Sequence, residues 1–158
     1  MNKTRMMTLL LAMVMSLAVV SLLWAGTKVE DEFVMQTKEY KKHTYNLVHF
    51  THKKHAEEYK ISCGECHHDD QGKALDLKMG DNVQRCIECH TKPGKAPKGK
   101  GKKKLKGAEK RAYHAEALHQ NCIKCHKAFN KSYKKEHKVK KGPAPTSCKK
   151  CHPGGKMK

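Results

Sequence analysis

The sequence predicts a small, mostly irregular fold with a few α-helices, whose core is supplied by bound prosthetic groups rather than by side chains. Two observations lead there. Ile, Leu, Val and Phe make up only about 12% of the residues from Gly26 onward, below the roughly 20% under which a highly charged chain cannot bury enough apolar surface to order itself. All eight cysteines fall in four boxes of the form C-x-x-C-H: Cys63, Cys66, His67; Cys86, Cys89, His90; Cys122, Cys125, His126; and Cys148, Cys151, His152. This box is the attachment signal for c-type haem, in which two thiols bond to the vinyl carbons and the adjacent imidazole ligates the iron. Four covalently attached haem c groups would form the interior, and the polypeptide a wrapping.

Paired C-x-x-C boxes also build zinc ribbons, and the intervals from Cys66 to Cys86 and from Cys125 to Cys148 are near the required range. The fifth residue decides between the two. With 12 histidines in 158 residues, one following all four second cysteines by chance has odds of roughly a few in a hundred thousand. Neither zinc ligation nor a disulfide framework uses a histidine there.

In chain order, residues 1–25 read as a signal peptide. Lys3 and Arg5 precede the apolar run Met6 to Trp24, with Ala25 at the cleavage point. Leu23 is a poor match to the usual small residue two positions before the cut, and the run is long enough to serve alternatively as an uncleaved anchor. Either way the rest of the chain is exported, which suits haem c attachment outside a bacterial inner membrane. Residues 26–46 are polar and read as an irregular arm. A tetrahaem domain over 47–152 begins with Val48 and Phe50, which alternate with polar residues as in a short strand. Lys73 to Val83 reads either as a short amphipathic turn, with Leu75, Leu77 and Met79 against a haem, or equally as a solvated loop with a few apolar contacts.

Thr91 to Arg111 is a lysine-rich insertion whose prolines and glycines predict a mobile loop rather than an element. Ala112 to Lys127, rich in alanine, is the best helix candidate. Ala128 to Lys141 continues it as a basic, helix-compatible stretch that Gly142-Pro143-Ala144-Pro145 ends. Residues 153–158 form a basic tail.

The formal charge of +19 points to acidic protein partners or an anionic membrane surface. Nucleic acid is set aside, because no aromatic platforms interleave with the lysines and an exported protein rarely meets any.

Beyond the four box histidines lie His43, His49, His52, His55, His68, His114, His119 and His137, and four haems need four sixth ligands. A second imidazole closes the iron to substrate and holds the haem at low potential. His68 adjoins His67, and neighbours about 3.8 Å apart cannot reach opposite faces of one haem. His52 and His55 would likewise serve different haems, as would His119 and His126, seven apart on one helix face.

Phe50-Thr51-His52-Lys53-Lys54-His55 followed by Cys63-Gly64-Glu65-Cys66-His67-His68 resembles the signature of the class III cytochromes c, the tetrahaem cytochrome c3 family of sulfate-reducing bacteria. The resemblance runs from about Val48 to His152. It implies that His52 ligates haem 1, His55 haem 3 and His68 haem 2, and that a histidine shortly before the third box ligates haem 4. Leu118-His119-Gln120-Asn121-Cys122 fits that position; His114, read as an exposed helix residue, is the alternative. Two features depart from the family: all four boxes have the short C-x-x-C-H form, and the lysine insertion is long. Trihaem relatives lack the second box, which is present here.

The function the resemblance implies is periplasmic electron transfer in anaerobic sulfate respiration, not enzymatic catalysis. Electrons would pass from a dehydrogenase such as hydrogenase to a membrane-bound cytochrome complex, with only peripheral membrane contact unless the leader is retained. The alternative is a multihaem reductase with one open iron, acting on nitrite, sulfur species or metal ions. The supply of spare histidines argues against a forced vacancy.

Overall fold

The computed structural model describes residues 30–157; the leader read at 1–25 lies outside the described residues, as does Lys158. Residues 30–77 and 84–157 belong to one compact unit, while Lys78–Val83 falls in another. That short segment is a turn closed on itself, with the Lys78 N–H donating to the Asp81 carboxylate at 2.7 Å and the Asp81 N–H to the Lys78 carbonyl at 3.1 Å. Met79 within it is exposed.

The main unit opens with two short strands, β1 (Phe33–Val34) and β2 (His49–Phe50), paired antiparallel with Phe33 opposite Phe50 and Val34 opposite His49. The strand expected around Val48–Phe50 is therefore present. Its partner comes from within the polar arm, where Phe33 and Phe50 pack edge to face at 5.5 Å between ring centres. The arm then runs back along the carboxyl end of the chain: Tyr45 bridges Lys156, and the Asn46 N–H donates to the Gly155 carbonyl at 3.0 Å. Arm and basic tail close the unit on one another.

After β2 come a π-helical turn at Lys54–Glu58 and a 3-10 turn at Cys63–Glu65. Four helices follow, α1 (Cys86–Cys89), α2 (Gly107–Arg111), α3 (His114–His137) and α4 (Cys148–Cys151). The long helix α3 merges the predicted helix with the basic stretch behind it. Ala115, Ala117 and Leu118 favour helix in its first turns. Lys134, Lys135 and His137 lie in the last turn, where cations meet the negative end of the helix dipole.

Its ends differ from expectation. It begins two residues later than Ala112, because Tyr113 is extended and bridges Lys92. It ends at Lys138 in the left-handed conformation, before the Gly-Pro segment is reached.

The insertion departs furthest from the reading. A wholly loop-like segment was expected over Thr91 to Arg111, yet its last five residues form α2 and its first part is docked. No side chain caps α3; instead the His114 N–H donates to the Lys92 carbonyl at 2.8 Å and the Ala115 N–H to the Gly94 carbonyl at 3.1 Å. These are helix-start donors that would otherwise lack partners, and meeting them fixes the insertion's first turn. Ala96 is buried beside it.

Burial bears out the sparse core. Among the described residues the only buried apolar side chains are Ile87 and Ala96, accompanied by the buried polar residues His114 and Glu116. Phe129, Tyr59 and Val139 are exposed. This is the small, largely irregular architecture with few helices that the composition predicts, and the described side chains do not fill it. Among the described residues no helix is long and apolar enough to cross a membrane.

Candidate haem sites

Each C-x-x-C-H box is wound as about one helical turn. In the first, second and fourth boxes the histidine N–H donates to the first cysteine's carbonyl: His67 to Cys63 at 2.8 Å, His90 to Cys86 at 2.8 Å and His152 to Cys148 at 2.7 Å. The third box lies inside α3 and inherits the same geometry. One turn brings the two thiols to one side, since residues three apart on a helix are neighbours. In the first box Gly64 is sterically required: a Cβ there would sit 2.9 Å from both the Ala74 Cβ and the Leu75 carbonyl oxygen.

The folding brings eight histidines together as four facing pairs. Ring centres lie 6.4 Å apart for His52 and His67, 5.9 Å for His68 and His90, 6.3 Å for His55 and His126, and 6.3 Å for His119 and His152. Two imidazoles bound to one metal from opposite sides at about 2 Å each, with about 1 Å from nitrogen to ring centre added at both ends, have centres about 6 Å apart. Each pair joins one box histidine to one histidine outside the boxes, so the donor set fits a covalently tethered haem with two axial imidazoles. The planes cross at 77°, 66° and 79° in three pairs and at 27° in the His55–His126 pair.

A second feature fits the same group. An imidazole offers one nitrogen to a metal when the other holds its proton in a hydrogen bond, which fixes tautomer and ring orientation. His90 Nδ1 lies 2.7 Å from the Arg111 carbonyl oxygen, His126 Nδ1 2.7 Å from that of Pro145, and His152 Nδ1 2.6 Å from that of Asn46. His55 and His68 use the carbonyls of Thr51 and Asp69 at 2.8 and 2.7 Å. In all five the ring would donate from Nδ1 and leave Nε2 free. His52 differs, since its buried Nδ1 finds no partner among the described residues.

The segment from Phe50 to His68 contributes to three of the four pairs. His55 sits in the π-helical turn, with Phe50 packed on its ring at 4.7 Å. His68 is held by a loop in which Asp69 accepts the N–H groups of Gln71 and Lys73, and it bridges Ala74. Adjacent His67 and His68 thus face different partners, as their spacing demands.

Burial shifts the titration of two of the paired imidazoles and four of the thiols. Burial, then the neighbouring His52 and His68, pulls His67 below the ordinary histidine range; burial, then the charge of Lys95, does the same to His119. A metal needs the neutral ring. Burial raises the thiols of Cys66, Cys86 and Cys151, and it pushes Cys122 to about 11 with the help of Cys66 and Cys86 nearby. No disulfide joins any two of the eight cysteines. Among the described residues no group of three or more His, Cys, Asp or Glu side chains is gathered to hold a metal ion, so the pairs of boxes do not converge as a zinc ribbon would.

The remaining histidines have other neighbours. His43 stacks on Tyr40 at 5.1 Å, and His137 lies against Tyr133 at 4.1 Å. His49 is exposed on β2. His114, read from the sequence as exposed, is buried instead. Tyr40 of the folded-back arm covers it and places its hydroxyl 3.0 Å from Nδ1.

Sequence reasoning missed the groups that orient the rings. The acceptors are backbone carbonyls, which carry no residue signature. Asn46 and Asn130, which tie down two of the carbonyl-bearing segments, gave no sign in the sequence: Asn46 Nδ2 donates to the Pro153 carbonyl at 2.6 Å, and Asn130 Nδ2 to that of Ala144 at 2.8 Å.

The family model for the class III cytochromes c matches residues 29–152, a span that holds every box and every facing histidine. No curated protein and no solved structure matches the chain. With that match across most of its length, the chain belongs to the class III cytochromes c, multihaem electron-transfer proteins that hold haem c through their cysteine motifs.

Proposed function

We propose that the chain carries four haems, each with two axial histidines, and that it works as a low-potential periplasmic electron carrier rather than an enzyme. The observation that carries this reading is the set of four facing imidazole pairs, one for each box. His67, His90, His126 and His152 would be the proximal ligands. His52, His68, His55 and His119 would close the far sides of haems 1 to 4 in that order. Cys63, Cys66, Cys86, Cys89, Cys122, Cys125, Cys148 and Cys151 would form the thioethers.

Haem supplies a one-electron couple, and two imidazoles set it at low potential. The chain's own residues hold these rings in place through the carbonyls of Thr51, Asp69, Arg111, Pro145 and Asn46, and two histidines on each haem would leave no open position for substrate. Redox partners would be acidic, since the chain is strongly basic. By family resemblance these are a periplasmic dehydrogenase such as hydrogenase on one side and a membrane-bound cytochrome complex on the other.

Haem quantitation and the visible spectrum test the reading. Four haems per chain, all low-spin and unreactive to carbon monoxide when reduced, are expected. A lower count would remove a box, and a carbon-monoxide-reactive fraction would favour the reductase.

A further inference from the structure

Between the carboxyl-terminal half of α3 and the start of α4 lies a cleft of about 310 Å³. Lys127, Lys134, Lys140, Lys141 and Lys150 line it, together with the hydroxyl residues Thr146 and Ser147, and no carboxylate does. Among the described residues none of these five lysines is ion-paired. Like charges gathered around one concave space repel one another, and an anion placed among them relieves that repulsion. With water at about 30 Å³ each, the space holds about ten waters, room for a diphosphate.

The far wall of the cleft, residues 142–147, is fastened to α3 at two points. The Asn130 amide donates from Nδ2 to the Ala144 carbonyl at 2.8 Å and accepts at Oδ1 from the Ala144 N–H at 3.0 Å. Gly142 passes so close that a Cβ would run into the Asn130 side chain. The next carbonyl, that of Pro145, lies 2.7 Å from His126 Nδ1. One short segment therefore both lines the cationic cleft and positions the ring of the third box.

We propose that this cleft binds a compact polyvalent oxyanion and that its occupancy is read by the haem held at His126. An anion here adds negative charge against the wall whose Pro145 carbonyl lies 2.7 Å from His126 Nδ1, and so bears on the group that governs the basicity of that imidazole. The charge favours the oxidised form, so binding lowers the potential of that haem. By linkage, reduction weakens anion binding by the same factor.

The test uses the haem-loaded protein and pyrophosphate at constant ionic strength, with haem content measured first so that an empty third box is not mistaken for an absent site. Calorimetry should give saturable binding at one site. The double change Lys134→Gln, Lys141→Gln should weaken it at least tenfold, while Lys102→Gln, Lys104→Gln in the insertion should leave it unchanged. Equal losses in both would assign the binding to the overall charge of the chain and overturn the site. The readout rests on the haem assignment proposed above, whereas the binding does not. In a redox titration the His126 haem should fall in potential more than the other three when pyrophosphate is added. A uniform fall in all four would overturn the coupling.

Discussion

Single residues decide which histidines face one another. His119 faces His152 at 6.3 Å, whereas His114 is buried against Tyr40. His119→Ala should therefore turn one haem high-spin and open it to carbon monoxide, and His114→Ala should leave all of them low-spin; visible spectra of the two variants check this. Ring planes supply a second expectation. Near-parallel imidazoles split the iron d orbitals more than crossed ones do, so the oxidised protein should show one ordinary rhombic electron-paramagnetic signal, from the His55–His126 pair at 27°. The three crossed pairs should give signals with a larger maximal g value, and His55→Ala should remove the rhombic one. His114 also predicts a pH dependence. Burial, then the proximity of His90, lowers its proton affinity, with Glu39 opposing and Arg85 assisting. The unfolded chain takes up that proton near pH 6.5 and the folded one resists it, so stability falls as pH drops from about 6.5. His114→Gln should flatten that slope in denaturant midpoints measured at pH 7 and pH 5.

At the scale of the element, α3 is the main support. It carries His119, the whole third box and the wall of the cationic cleft on one 24-residue helix. Its helical character was legible in its alanines and its lack of internal Gly or Pro, but its ends were not. Its start is set by carbonyls of the insertion and by the extended Tyr113. Its stop is Lys138 at φ 51°, ψ 36°, a conformation that costs a residue with a Cβ about 1 kcal/mol. Lys138→Gly should raise the unfolding free energy by about that amount, read as a higher denaturant midpoint at unchanged m, without altering the haem spectrum, since glycine adopts this cap freely. The insertion teaches the converse: its glycines and prolines predicted a mobile loop, but its backbone carbonyls met the uncapped amides of α3.

For the whole molecule, two buried apolar residues among those described are far too few to offset the ordering entropy of about 1–2 kcal/mol per residue. Chain produced without haem attachment should therefore lack cooperative thermal unfolding, as near-ultraviolet circular dichroism or calorimetry would show. A sharp transition in such material would mean that the polypeptide holds a core of its own. The arm and the tail are joined by backbone hydrogen bonds, from the Asn46 N–H to the Gly155 carbonyl at 3.0 Å and from the Met157 N–H to the Thr44 carbonyl at 3.1 Å.

The four boxes, the class of cofactor they call for, the poverty of the polypeptide core and the rule that His67 and His68 must part company were all settled in the linear chain. They follow from covalent chemistry and short-range spacing, which need no knowledge of the fold. The pairing of His119 rather than His114, the burial of His114, the docking of the insertion and the carbonyl partners of the ring nitrogens were decided only in three dimensions. Each depends on segments far apart in the chain, Arg111 with His90, Asn46 with His152 and Tyr40 with His114, and on backbone groups that every residue carries alike.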